Sequence, residues 1–133
     1  MAIMLDADVI ICGERGTLDL ATWMSQHESE GFEVAAITVA ELWHGVERAS
    51  AEHRVQRERY IRAILEELPM IPYTGTTALE HARIWASMES SGQMIGDYDL
   101  IVAATALERG SSVATFNKRH FQRVKGLRVV EPR

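Results

Sequence analysis

A single cysteine, Cys12, leaves no internal disulfide, so packing must stabilise the chain, and a reducing compartment suits it. The longest wholly apolar runs are a few residues, far short of the roughly 20 that cross a bilayer. No basic leader precedes an apolar stretch at the start, Met1 to Asp6. Secretion and membrane insertion are therefore not expected, and a cytoplasmic location is. Repeats, low-complexity tracts and linker-like segments are missing, and 133 residues fit one domain, 1–133. The histidines, His27, His44, His53, His81 and His120, share no zinc-type spacing and read as surface or packing residues. There is no P-loop, dinucleotide fingerprint or nucleophile elbow; Gly13 to Gly16 is a turn.

What is present is a globular composition, 47% hydrophobic and 25% charged, with an uneven charge distribution. Residues 1–47 hold nine acids and one base, whereas residues 109–133 hold seven bases and one acid. A net charge of -5 therefore conceals a basic C-terminal strip, and a polyanion responds to local potential rather than to the total.

Apolar runs and their breaks predict an alternating order. Ile3 to Leu5 is a buried strand ending on Asp6, and a helix with Leu18, Leu20, Ala21 and Met24 follows, capped by Thr17. Val34 to Ile37 is a second strand, after which Thr38 caps a helix beginning at Val39. A polar helix spans 51–68, with Ile61, Ile64, Leu65 and Leu68 on its apolar side, and Pro69 stops it. Met70 to Tyr73 forms a strand whose proline points to a strand end or a sheet edge. The helix 77–88 is expected to bury Ala78, Leu79, Ala82, Trp85 and Ala86. An almost wholly apolar helix at 100–107, a strand at 112–115, a helical turn at 117–121 and a strand at 127–130 complete the chain. Strands separated by helical crossovers imply an α/β fold, a mainly parallel five-stranded sheet covered on both faces.

In such a sheet, sites lie at the carboxyl ends of strands. Asp6 stands directly after the first strand, Glu41 one turn into the helix after the second, and Asp99 at the start of the apolar helix. Asp8 faces the same place if the chain is extended there and turns away if a helix has begun. Carboxylates gathered at one point repel each other unless a hard cation offsets them, and Mg²⁺ or Mn²⁺ is the matching ion. Such a centre suits the hydrolysis of a phosphodiester. Each acid has a structural alternative: Thr38 and Glu41 fit a capping box, and Asp97 or Asp99 fits an N-cap.

Four segments in register carry a resemblance over essentially the whole chain. They are Leu5-Asp6-Ala7-Asp8-Val9-Ile10-Ile11, Ile37-Thr38-Val39-Ala40-Glu41-Leu42, Ile95-Gly96-Asp97-Tyr98-Asp99-Leu100 with its apolar continuation, and Thr115-Phe116-Asn117-Lys118-Arg119-His120-Phe121. The chain resembles PIN-domain proteins of the VapC toxin type. The resemblance implies a three-layer α/β/α fold, a Mg²⁺- or Mn²⁺-dependent endoribonuclease leaving 5′-phosphate and 3′-hydroxyl ends, a VapB-like antitoxin and a homodimer. Asp6, Glu41 and Asp99 fall on the family's first three acids, with Asp6 and Asp99 as principal metal ligands. Asn117 falls near the fourth, and Asp97 and Asn117 stand as candidate outer ligands. Asp8 occupies a position where the family more often has a small polar residue. Thr115, Lys118, Arg119 and Arg123 are candidate contacts to an RNA backbone, with tRNA or another structured RNA as substrate. Arg48, Arg54, Arg57, Arg59 and Arg62 form either a second basic surface or a solvated helix laced with acids. Cleavage of DNA or another phosphodiester, and a non-catalytic binding domain of the same fold, are the rival readings.

Overall fold

Alternation along the strands divides the interior in two. Ile3, Leu5, Val34 and Ala114 face one buried cluster; Met4, Ala35 and Val113 face another. The computed structural model describes residues 1–133. Its strands are β1 (Ile3–Leu5), β2 (Phe32–Ala35), β3 (Met70–Ile71), β4 (Ser112–Ala114) and β5 (Val129–Val130), ordered β3-β2-β1-β4-β5. All four pairings are parallel, which completes the α/β/α sandwich predicted above. On the first face lie α1 (Ala7–Arg15), α2 (Leu20–Gln26), α3 (Ala36–Arg48) and α4 (Ala51–Glu66). The second face carries α5 (Gly75–Ser90), α6 (Asp97–Arg109) and the short α7 (Lys118–Phe121). No helix is long and apolar enough to cross a membrane.

Local chemistry corrects several expectations. The stretch after Asp6 is a helix that runs through Gly13 and ends on Gly16, whose φ of 79° needs no Cβ. Asp19, rather than Thr17, caps α2 by accepting from the Thr22 amide at 3.1 Å. The second strand begins and ends earlier than its apolar run, and α3 starts at Ala36 with no side-chain cap. Thr38 is thus inside the helix, fully buried, with its hydroxyl unpartnered. In α5, Thr77, Ile84 and Met88 face the core, while Leu79 and Trp85 are exposed. The helix offers two apolar stripes, and the one with Ile84 and Met88 packs into the cluster it shares with α6.

Two close fits position the site. Gly13 on α1 lies against Leu20 of α2 and the Tyr60 hydroxyl of α4, where a Cβ would collide. Under the C-terminal end of α6, the buried Glu33 of β2 accepts a 2.7 Å ion-paired hydrogen bond from Arg109 and a second from the Ser111 hydroxyl. A buried carboxylate is tolerable only with partners of this kind.

Candidate active site

Strand order puts β1 between β2, the next strand in the chain, and β4, reached only after the chain recrosses the sheet. A cleft opens at such a switch point, beyond the carboxyl ends of the strands. Asp6 leaves β1 there with extended backbone and caps α1, its Oδ1 accepting from the Ala7 amide at 2.9 Å. Its other oxygen accepts from the Thr115 hydroxyl, just past β4, at 2.8 Å. A structural role as cap and a site position therefore coincide in one carboxylate.

The helix has begun by Asp8, yet Asp8 does not turn away. Its Oδ2 accepts from the Phe116 amide at 3.0 Å and lies 3.3 Å from the Thr115 hydroxyl. The first turn of α1 faces the loop after β4, so a side chain pointing sideways from the helix reaches it. Thr115 in turn accepts from the Asn117 amide at 2.9 Å. The Asn117 side-chain amide donates to Asp99 Oδ2 at 3.1 Å and to His120 Nδ1 at 2.9 Å. Asp6, Asp8, Thr115, Asn117 and Asp99 are thereby linked in one network.

Glu41 approaches from α3. With the helix starting at Ala36, the Thr38 and Glu41 pattern is no capping box, and Glu41 Oε1 is buried without a partner. Asp8 Oδ1 is likewise buried and unpartnered. Asp97 and Asp99 both lie in the first turn of α6, whose N-cap is Gly96 with no side-chain cap. Asp97 is exposed and outside the network; Asp99 is half-buried and inside it.

Burial, then the Asp8 charge, then the Asp99 charge push the Asp6 carboxyl up to about 7, against the bonds from Thr115 and Ala7. Asp8 is raised by burial, with the Phe116 and Thr115 bonds opposing. Glu41 is raised by burial and by the charges of Asp99 and Asp8. Burial also raises Asp99, while His120 and the Asn117 bond act in the other direction. Burial thus hinders the ionisation of all four carboxyls, neighbouring carboxylate charges add to it at Asp6, Asp8 and Glu41, and a cation among them would relieve it.

The donor set fits a hard divalent ion: hard oxygens, and two buried carboxylate atoms with nothing to bind. As arranged here, no three His, Cys, Asp or Glu side chains stand close enough together to hold one, so ligation requires rotamer changes.

The basic candidates separate. Lys118 and Arg119 are exposed on α7 directly after Asn117. The Arg123 guanidinium donates to the Met94 carbonyl at 2.9 Å through one of its nitrogens and is half-buried. Sequence reasoning undervalued His120 and the hydroxyl of Thr115. The signal for His120 was its place one helical turn after Asn117.

Comparison with known proteins follows the same lines. The PIN-domain family profile matches residues 3–127. Over 131 residues, the chain is 29% identical to Ribonuclease VapC1 of Rickettsia felis, covering 98% of this chain and 96% of that one. Over 126 residues, it is 31% identical to Ribonuclease VapC2 of Haemophilus influenzae, covering 94% and 93%. Among solved structures, DNA-bound VapBC from Salmonella typhimurium superposes with a TM-score of 0.89 at 25% identity, covering 98% of each chain.

Proposed function

Because the chain belongs to the PIN-domain family, as one of its VapC-type ribonuclease toxins, we propose that it is a Mg²⁺- or Mn²⁺-dependent endoribonuclease acting at the Asp6–Asp99 cluster. One observation carries the reading: four carboxyls with raised pKa, two of them presenting buried, unpartnered oxygens, meet at the sheet's switch point.

Asp6, Asp99 and Glu41 would hold the ion, with Asn117 and the peripheral Asp97 as outer donors. A divalent cation bound there supplies Lewis-acid polarisation of the phosphoryl group and offsets the charge that develops on it. The remaining work belongs to the chain. Thr115 fixes the Asp6 carboxylate by a hydroxyl bond and lies within reach of Asp8. Asn117 holds Asp99 toward the β4 side, and His120 fixes the Asn117 amide from the other. Glu41, free of other bonds at Oε1, orients the attacking water. Lys118 and Arg119 engage backbone phosphates without reading sequence.

The partner is a VapB-like antitoxin, as suits kinship with a protein solved as VapBC. An apolar groove of about 540 Å³ between α2 and α4, walled by Leu20, Met24, Phe32, Tyr60 and Ile64, is suited to an amphipathic segment of it. The active form is a cytoplasmic homodimer.

The test is cleavage of labelled RNA and labelled DNA of one sequence with Mg²⁺ or Mn²⁺, by wild type and by Asp99→Asn. Wild type cleaves the RNA and spares the DNA, and the folded variant falls by at least about a hundredfold, the loss seen when a catalytic electrostatic group is removed. Full activity of Asp99→Asn at limiting metal would remove Asp99 from the ligand set and leave it only its bond with Asn117.

A further inference from the structure

A second charged feature lies at the far end of α1 from the carboxylates. Arg15, Arg57, Arg59 and His53, with Glu14, Gln56 and Tyr60, line an open cleft of about 520 Å³ between α1 and α4. Glu14 is its only acid, paired with Arg57 at 2.9 Å. Arg57 is further fixed by the Gly45 carbonyl. Arg15 and Arg59 are exposed and form no ion pair, so the cleft keeps two uncompensated guanidinium groups. The other arginines of this region differ: Arg54 is tied to Glu47 and Arg62 to Glu58. The basic series anticipated along α4 is thus reduced to Arg57 and Arg59, joined by Arg15 from α1.

The cleft continues toward the candidate active site. Glu14, Arg15 and Arg57 also wall a smaller cavity of about 150 Å³ whose opposite wall includes Glu41 and Leu42. One helix therefore carries Asp8 at one end and Arg15 at the other, roughly 10 Å apart at about 1.5 Å per residue.

We propose that the Arg15–Arg57–Arg59 cleft is a phosphate subsite that holds the RNA backbone beyond the scissile bond. The proposal rests on the nuclease reading for its ligand. An RNA strand lying at Glu41 is the nearest polyanion, and the shared cavity leads it here. Guanidinium forks match phosphate oxygens, and those of Arg15 and Arg59 are free to do so, while the Glu14 pair fixes Arg57 as part of the wall. Arg15, the lone base of the acidic first third of the chain, and Arg59 of α4 give the strand a favourable track that net charge conceals.

The test uses the full-length protein in EDTA, where cleavage cannot occur, and a fluorescein-labelled oligouridylate of about twelve nucleotides. Affinity is followed by anisotropy across a series of salt concentrations. Arg15→Gln/Arg59→Gln should weaken binding at least tenfold at low salt and lower the log–log salt slope by about one, near the increment for one or two lost single-strand phosphate contacts. The control Arg54→Gln/Arg62→Gln removes the same charge outside the cleft and should change binding less than twofold. Equal effects of the two double variants, or no effect of the first, would overturn the proposal. So would failure of wild type to bind the RNA. If an acidic peptide such as oligoglutamate loses affinity in the first variant while RNA does not, the cleft is a protein site and the proposal fails. Thermal unfolding guards against misfolding; should the double variant unfold, Arg59→Gln alone, at an exposed position, must show a smaller change in the same direction. Wild type that binds by this cleft yet cleaves nothing with either metal would sink the nuclease reading and support the subsite.

Discussion

Thr115 has one hydroxyl proton and two carboxylates within reach of it, and the shorter distance gives the proton to Asp6. Its oxygen also serves the Asn117 amide. Thr115→Val removes these roles without changing volume and leaves buried polar atoms unsatisfied. The expected loss is about 2–3 kcal/mol of stability by denaturant unfolding, with Thr115→Ser recovering most of it. Asp6 gives a pH signature. Its carboxyl ionises near pH 4 in the unfolded chain and near 7 in the folded one. Between these values the unfolded state releases a proton that the native state retains, so metal-free stability falls as pH rises. The loss levels off above pH 7 at roughly 4 kcal/mol. Asp6→Asn lacks the group, so in EDTA its Tm advantage over wild type should grow from pH 4.5 to 7.5; a constant difference would refute the assignment. The sequence made Asp6, Glu41 and Asp99 legible because each stands where a strand ends or a helix starts. Thr115 was less so, since an alcohol beside a strand has many ordinary uses, and only the β1–β4 pairing brings it to Asp6.

Among the elements, α3 and α5 show where local pattern and tertiary packing part. Thr38 and Glu41 have capping-box spacing, but the strand yields to helix as soon as Ala35 leaves the sheet, and the helix starts before the box. In α5 periodicity revealed an apolar stripe without saying which of two would face the core; Ile84 and Met88 won over Leu79 and Trp85. The close approach of α1 to α4 was invisible beforehand, because Gly13 reads as a break from sequence alone. Alanine usually improves a helix by about 0.5–1 kcal/mol over glycine. Here Gly13→Ala should instead destabilise by about 1–3 kcal/mol, because Tyr60 and Leu20 leave no room for a methyl group. Adding Tyr60→Phe removes the nearest atom, so the double variant should regain part of the loss in chemical denaturation.

For the whole molecule, repulsion among the carboxylates would make stability and the proposed metal binding two sides of one quantity. Saturation at a hundred times Kd would stabilise the fold by about 2.7 kcal/mol. Asp99→Asn should match or exceed wild-type Tm in EDTA and gain less from added Mn²⁺; an equal metal-induced rise in both proteins would remove Asp99 from the ligand set. The Glu33–Arg109–Ser111 clamp bears on this in another way. It grips α6 at one end, Asp99 lies at the other, and Val102, Ala103, Ala104 and Ala106 between them are wholly enclosed. The middle of α6, 102–106, cannot open without opening the core, so amide exchange there should proceed only by global unfolding. Asp6 is buried as deeply, directly after β1. A restraint that worked by melting α6 or β1 would cost the whole fold; one that spares the fold has to act from the protein's surface.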